Sequence, residues 1–108
     1  MNREQDSAYK NVVEALQKVN QNRTFRNIGT PEREELDKAV LLLEELSWEI
    51  VSEDIADFAE RIGAGAKELR VLADKIDKSY KQLRTVTVAI QKAADAVGLL
   101  AGAAGNIM

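Results

Sequence analysis

The chain has 108 residues, 45% of them apolar and 31% charged, with a formal net charge of −3. That length and composition suit one folded domain and exclude a disordered chain. It contains no cysteine and no histidine, which excludes disulfides and thiolate chemistry and removes the commonest general base, metal ligand and pH switch.

Aromatic residues make up only 5% and proline occurs once, so a core of Leu, Ile, Val and Ala in helices is expected. The start, MNREQDSAYK, is polar and lacks the apolar run of a signal peptide. A cytoplasmic location is the default expectation, with leaderless secretion as the alternative. Charge is uneven along the chain. Residues 1–30 hold five basic and three acidic side chains, 31–62 hold three and eleven, and 63–108 hold seven and four. An acidic segment between two basic ones suggests neighbours that neutralise one another, and argues against a nucleic-acid partner.

The first predicted helix covers about 3–22. Tyr9, Val12, Val13, Leu16 and Val19 form an apolar stripe at helical spacing. A loop follows over about 23–30, with Phe25 and Ile28 as expected apolar anchors. The second helix has the clearest start in the chain. Thr30 can cap it, Pro31 fits the first position, and Glu32, Glu34 and Glu35 suit the positive end of the helix dipole. It is expected to run over about 31–62. Gly63-Ala64-Gly65 is the expected hinge, with Gly63 and Gly65 as breaking residues, because each glycine costs roughly 1 kcal/mol inside a helix. A third and longest helix is then expected over about 66–105.

A seven-residue spacing competes with that hinge. Leu41, Trp48, Ile55, Ile62, Leu69, Ile76, Leu83, Ile90, Val97 and Ala104 follow one another without a miss, straight through the glycines. A single helix from Pro31 to Gly105 would be about 112 Å long and would have to oligomerise as a coiled coil. Charge favours the hairpin. Folding at Ala64 sets Glu44, Glu45, Glu49, Glu53 and Asp57 against Arg70, Lys75, Lys78, Lys81 and Arg84. The expected fold is therefore all-α: one shorter N-terminal helix plus a long antiparallel hairpin, a three-helix bundle or coiled coil. The seven-spaced residues Leu41 to Val97 would be its seam.

Few motifs carry chemistry. Glu45, Glu49, Glu53 and Asp57 form an i, i+4 acidic ladder, but di-metal sites in helical bundles add Glu-x-x-His pairs and this chain has no histidine. Lys67 to Arg84 is basic, but Asp74 and Asp77 dilute it. Ser7-Ala8-Tyr9-Lys10 matches S-x-x-K without its companion motifs. Neither a phosphate loop nor zinc or calcium spacing is present. The reading is of a non-enzymatic chain with no cofactor, no metal and no small-molecule substrate.

The end of the chain, GLLAGAAGNIM, stands apart. In a hairpin folded at Ala64 it overhangs the second helix. Ala94, Gly98 and Gly102 recur every four residues, as do Ala101 and Gly105, a spacing that lets helix backbones approach closely. Leu99, Leu100 and Ile107 add apolar surface. The 13 uncharged residues from Ala96 to Met108 are too few to span a bilayer. Extending back to Val86 includes Lys92 and Asp95. The expected partner is another protein, with a second copy of the chain first; a membrane is the rival.

The layout is similar to that of small leaderless secreted proteins of the WXG100 class, and to components of helical pore-forming toxins. The resemblance is of layout alone. The Trp-x-Gly turn of the first class is replaced here by Trp48-Glu49-Ile50, with Gly63-Ala64-Gly65 as the expected turn. A leading function follows: an interaction or assembly subunit that associates helix on helix. The alternative is a membrane-active protein whose C-terminal segment inserts.

Overall fold

A computed structural model describes residues 3–105. Four α-helices make up the fold: α1 (Arg3–Arg23), α2 (Pro31–Ile50), α3 (Ala59–Ser79) and α4 (Arg84–Gly105). Short 3-10 turns at Ile55–Phe58 and Lys81–Leu83 lead into α3 and α4. No strand occurs among the described residues. Each helix runs antiparallel to the next, and α4 packs back against α1, so the helices form an up-down-up-down ring. The molecule measures 44 × 21 × 19 Å.

The start of α2 forms as its residues dictate. Thr30 has extended φ/ψ of −77° and 151°, and its hydroxyl accepts a hydrogen bond from the Arg33 amide at 3.3 Å. The end of α2 differs from expectation. The helix stops at Ile50, and residues 51–54 form the turn that was expected at 63–65. The sequence there is Val-Ser-Glu-Asp, with the Ser52 hydroxyl accepting from the Asp54 amide at 3.2 Å. A residue from α1 completes it. Buried Gln5 donates through Nε2 to the carbonyls of Ile50 and Ser52 at 2.9 and 3.0 Å, satisfying acceptors that a helix end leaves open.

Gly63 and Gly65 lie within α3 and are not a hinge. The expected third helix is instead broken at Tyr80, whose φ/ψ of −137° and 79° leave the helical region. The magnitudes explain why packing overrides propensity. Two helical glycines cost about 2 kcal/mol together. Each large apolar side chain removed from water contributes about 1.5–3 kcal/mol. Breaking the chain at 51–54 and at Tyr80 lets Ile55, Ile62, Leu69, Ile76, Leu83, Ile90 and Val97 all reach one core. Helices of about twenty residues can bury that surface against one another, whereas a single long rod cannot.

Both glycines have a packing use. A Cβ on Gly65 would lie 2.7 Å from Leu46 Cδ2, so α2 and α3 are in close contact there. A Cβ on Gly63 would meet Ala101 Cβ at 3.6 Å. The start of α3 therefore covers the end of α4, and the expected overhang is not present over the described residues. Leu100 and Ala104 belong to the core.

Candidate interaction surface

The seven-spaced residues divide into two sets. Ile55, Ile62, Leu69, Ile76, Leu83, Ile90, Val97 and Ala104 are buried inside the bundle. Leu41 and Trp48 are not: they are 69% and 79% exposed, which corrects their expected place in the core. The cause is the turn at 51–54, which interrupts the helix, so residues before it share no helical face with those after it. Seven-residue spacing therefore continues in sequence while its direction reverses. On α2 the buried set is Leu36, Ala39, Val40, Leu43, Leu46 and Ile50. At 100° per residue, Leu41 and Trp48 lie diametrically opposite that set.

The tail residues also separate. Ala94 and Leu100 are buried. Gly98 faces the protein's own α3, where a Cβ would stand 3.0 Å from Arg70 Nη2 and 4.0 Å from Ala66 Cβ. Gly102 and Gly105 have nothing within 4 Å of a built Cβ. Leu99 is exposed. Ile107 and Met108 lie outside the described residues. The first part of the small-residue stripe thus brings α4 close to α3 within one chain.

The 23–30 loop carries a second correction. Phe25 and Ile28 are 81% and 86% exposed and anchor nothing. Polar bonds hold the loop instead. The Arg33 guanidinium donates to the carbonyls of Arg23 and Arg26 at 2.9 and 3.1 Å. Arg23 and Arg33 both bind Asp37, at 3.1 and 3.0 Å, and Arg26 binds Glu32 at 3.0 Å. Neighbouring arginines hold the Asp37 carboxyl below the usual carboxylate range. These arginines were legible as charge but not as a loop clasp, because their partner carbonyls come from a turn that only folding creates.

Between α2 and α3 an open groove of about 530 Å³ has an apolar floor of Leu42, Val71 and Leu72. Glu35, Lys38, Lys67, Glu68 and Lys75 stand along it. Glu35 Oε1 pairs with Lys75 at 2.9 Å and with Lys38 at 3.4 Å. Burial raises the Glu35 pKa, but the two ammonium groups outweigh it and leave it below its ordinary value. Farther along, buried Glu49 meets Arg61 at 3.6 Å. There burial wins: with Arg61 pulling down and Glu45 pushing up, the Glu49 pKa is raised. The acidic ladder does not gather. Among the described residues no group of three carboxylates is placed to hold a metal ion.

The charge pairing across the hairpin has a shifted register. Glu35 lies level with Lys75, Leu46 with Gly65, and Glu49 with Arg61. On the other side of α3, Arg70 pairs with Asp95 of α4 at 3.4 Å. The ion pairs between α2 and α3, Glu35–Lys75 and Glu49–Arg61, differ from those expected of a fold at Ala64, because the chain turns about residue 55 and Glu53 and Asp57 lie outside α2.

No protein-family model, curated protein or solved structure matches this chain. Its surface chemistry must carry the functional reading.

Proposed function

We propose that this protein is a non-enzymatic assembly subunit that works by helix-on-helix association, and that its contact surface is the outer face of the bundle around α2. One observation supports the reading above the others. Leu41 and Trp48 stand seven residues apart and outward on a helix whose other exposed residues after Pro31 are charged. Scattered exposed apolar residues are normal on any surface. A tryptophan and a leucine aligned at the spacing of a helix seam are what a packing partner would cover. The small residues of the C-terminal helix support this role less well, since Gly98 already faces Arg70 and Ala66.

A membrane-active role is the second reading. The segment Lys81–Gly105 is long and apolar enough by composition to cross a bilayer. Eight of its α4 side chains, among them Ile90, Val97 and Leu100, face the core. Insertion would therefore require the bundle to open. Sedimentation velocity of the whole chain over a range of concentrations, with and without anionic liposomes, tests both. A mass that rises above 11.9 kDa with concentration supports assembly. Co-sedimentation with liposomes supports insertion. A monomer at every concentration that ignores lipid defeats both.

A further inference from the structure

We propose that this protein docks end-on against an anionic lipid bilayer through the end of the bundle that carries the 24–30 loop, with Phe25 and Ile28 entering the headgroup layer. The inference goes beyond the assembly reading and does not depend on it. It also differs from insertion of α4, since the bundle stays closed.

Two connections lie together at this end. The order of the helices brings the α1–α2 loop beside the turn between α3 and α4, and Gln82 Nε2 of that turn donates to Glu32 Oε2 at 3.4 Å. Phe25 and Ile28 are the two most exposed large apolar side chains among the described residues. They stay outward because the backbone beneath them is tied down. Arg33 holds the carbonyls of Arg23 and Arg26. The amides of Phe25, Arg26 and Thr30 donate to the carbonyls of Asn22, Arg23 and Asn27 at 3.1–3.3 Å.

Charge selects what meets them. Dividing every helix at its midpoint separates the molecule into two halves along its 44 Å axis. The half with this loop, residues 14–40 and 70–94, holds eleven basic and seven acidic side chains, a net of +4. The other half holds four basic and eleven acidic, a net of −7. Every charged side chain of the protein falls in this count.

Pairing does not erase the excess. Arg23 and Arg33 share Asp37, Arg26 holds Glu32, and Lys38 and Lys75 share Glu35, so five cations answer three carboxylates. Arg70 pairs with Asp95 of the acidic half. Farther from the tip, Glu14 and Asp74 are matched in number by Lys18 and Lys92. At the tip, exposed Glu34 and half-buried Asp77 stand against exposed Lys78, Lys81 and Arg84, which have no ion pair among the described residues.

A basic end bearing two bare apolar side chains has the chemistry of a site for anionic lipid. Lysines and arginines gather at negative headgroups, while aromatic and aliphatic side chains enter the boundary with the acyl chains. The same surface repels the acidic half, so the two poles together set the long axis upright. A rigid protein partner would need a hollow shaped for both side chains, whereas a fluid headgroup layer opens around them.

Co-sedimentation of the whole chain with vesicles rich in phosphatidylserine, beside vesicles of phosphatidylcholine alone, tests the site. Binding is expected to the first and not to the second, and should fall as salt is raised. Phe25→Ser with Ile28→Ser should weaken it by about tenfold or more. Lys78→Glu with Lys81→Glu should also weaken it by about tenfold or more. The helical circular-dichroism spectrum should be unchanged in both variants, since all four positions are exposed. Trp48 is the chain's one tryptophan. It lies about 25 Å from the start of α2 and should keep its emission when lipid is added. Phe25→Trp in a Trp48→Phe background should shift its emission to the blue. Failure to bind the anionic vesicles overturns the proposal. So does equal binding to both lipids, binding that survives the substitutions, or a blue shift of Trp48, which would mean that the bundle opens or lies flat. If the same substitutions abolish an oligomer that forms without lipid, the tip is a protein contact and the membrane assignment falls.

Discussion

Glu49 and Glu35 sit on the same helix, both buried, and their pKa values shift in opposite directions. Burial lifts the Glu49 pKa above 4.5, and Arg61, itself exposed, does not cancel the effect. An acid whose pKa is raised on folding destabilises the fold when ionised. That cost is present above its folded pKa and vanishes as pH falls below 4.5, its ordinary value. Glu49→Gln should therefore raise the melting temperature at pH 7, with the gain shrinking to nothing near pH 4. Glu35 has the reverse sign. Lys75 and Lys38 hold its pKa below 4.5 despite burial, so it stabilises the fold above that pH and stops doing so as pH falls through its folded pKa. Glu35→Gln should cost about 1 kcal/mol at pH 7 and almost nothing in acid, measured by urea unfolding at both pH values. The sequence showed acids near bases. It could not show which acid would be paired by ammonium groups and which would be desolvated, because burial belongs to the assembled bundle.

Glycine divides in the same way. Gly102 has open space where a Cβ would go, whereas a Cβ on Gly65 would collide with Leu46 at 2.7 Å. Gly102→Ala should stabilise the protein by about 0.5–1 kcal/mol through helix propensity alone. Gly65→Ala gains the same propensity but forces buried Leu46 from its position, and overpacking of a core costs about 1–3 kcal/mol. Thermal unfolding should show the first variant above the parent and the second at or below it. An equal rise in both would mean that α2 and α3 do not approach closely.

At the scale of the helices, the decisive contacts are end contacts. The start of α2 was legible in full, because Thr30, Pro31 and Glu32 act on the backbone beside them. Its end was not, because the capping donor is Gln5, which is remote in sequence. Gln5→Ala should destabilise the fold by about 1–3 kcal/mol and speed amide exchange around residues 50–55 before elsewhere. If exchange rises uniformly instead, the cap is not local. The break at Tyr80 has no glycine or proline to announce it. It follows from the need for α3 and α4 to lie side by side, which is a property of the pair.

Over the whole molecule, the seven-residue series was a correct reading of the apolar pattern and an incomplete guide to direction. From Ile55 to Ala104 it marks the core. At Leu41 and Trp48 the same spacing marks the outside. Removal of the residues after Val97 should lower stability by several kcal/mol, because it deletes Leu100 and Ala104 from the core; an unchanged denaturation midpoint would show the tail to be dispensable.

By itself, the sequence determined that this chain is helical, how α2 starts, and which residues of the C-terminal half are apolar enough to pack, whereas the buried face of α1 runs through Ala8, Val12, Ala15 and Val19 and leaves Tyr9 exposed. The first three are local or periodic properties, set by propensity, capping and side-chain spacing. Only the tertiary structure decided that there are four helices, that Gly63 and Gly65 are contact points rather than a hinge, and that the C-terminal helix is covered while Leu41 and Trp48 are not. Those outcomes depend on where the chain turns back. The turns are chosen by the total apolar surface that the helices can bury together, which exceeds the cost of the glycines inside α3 and is written in no single segment.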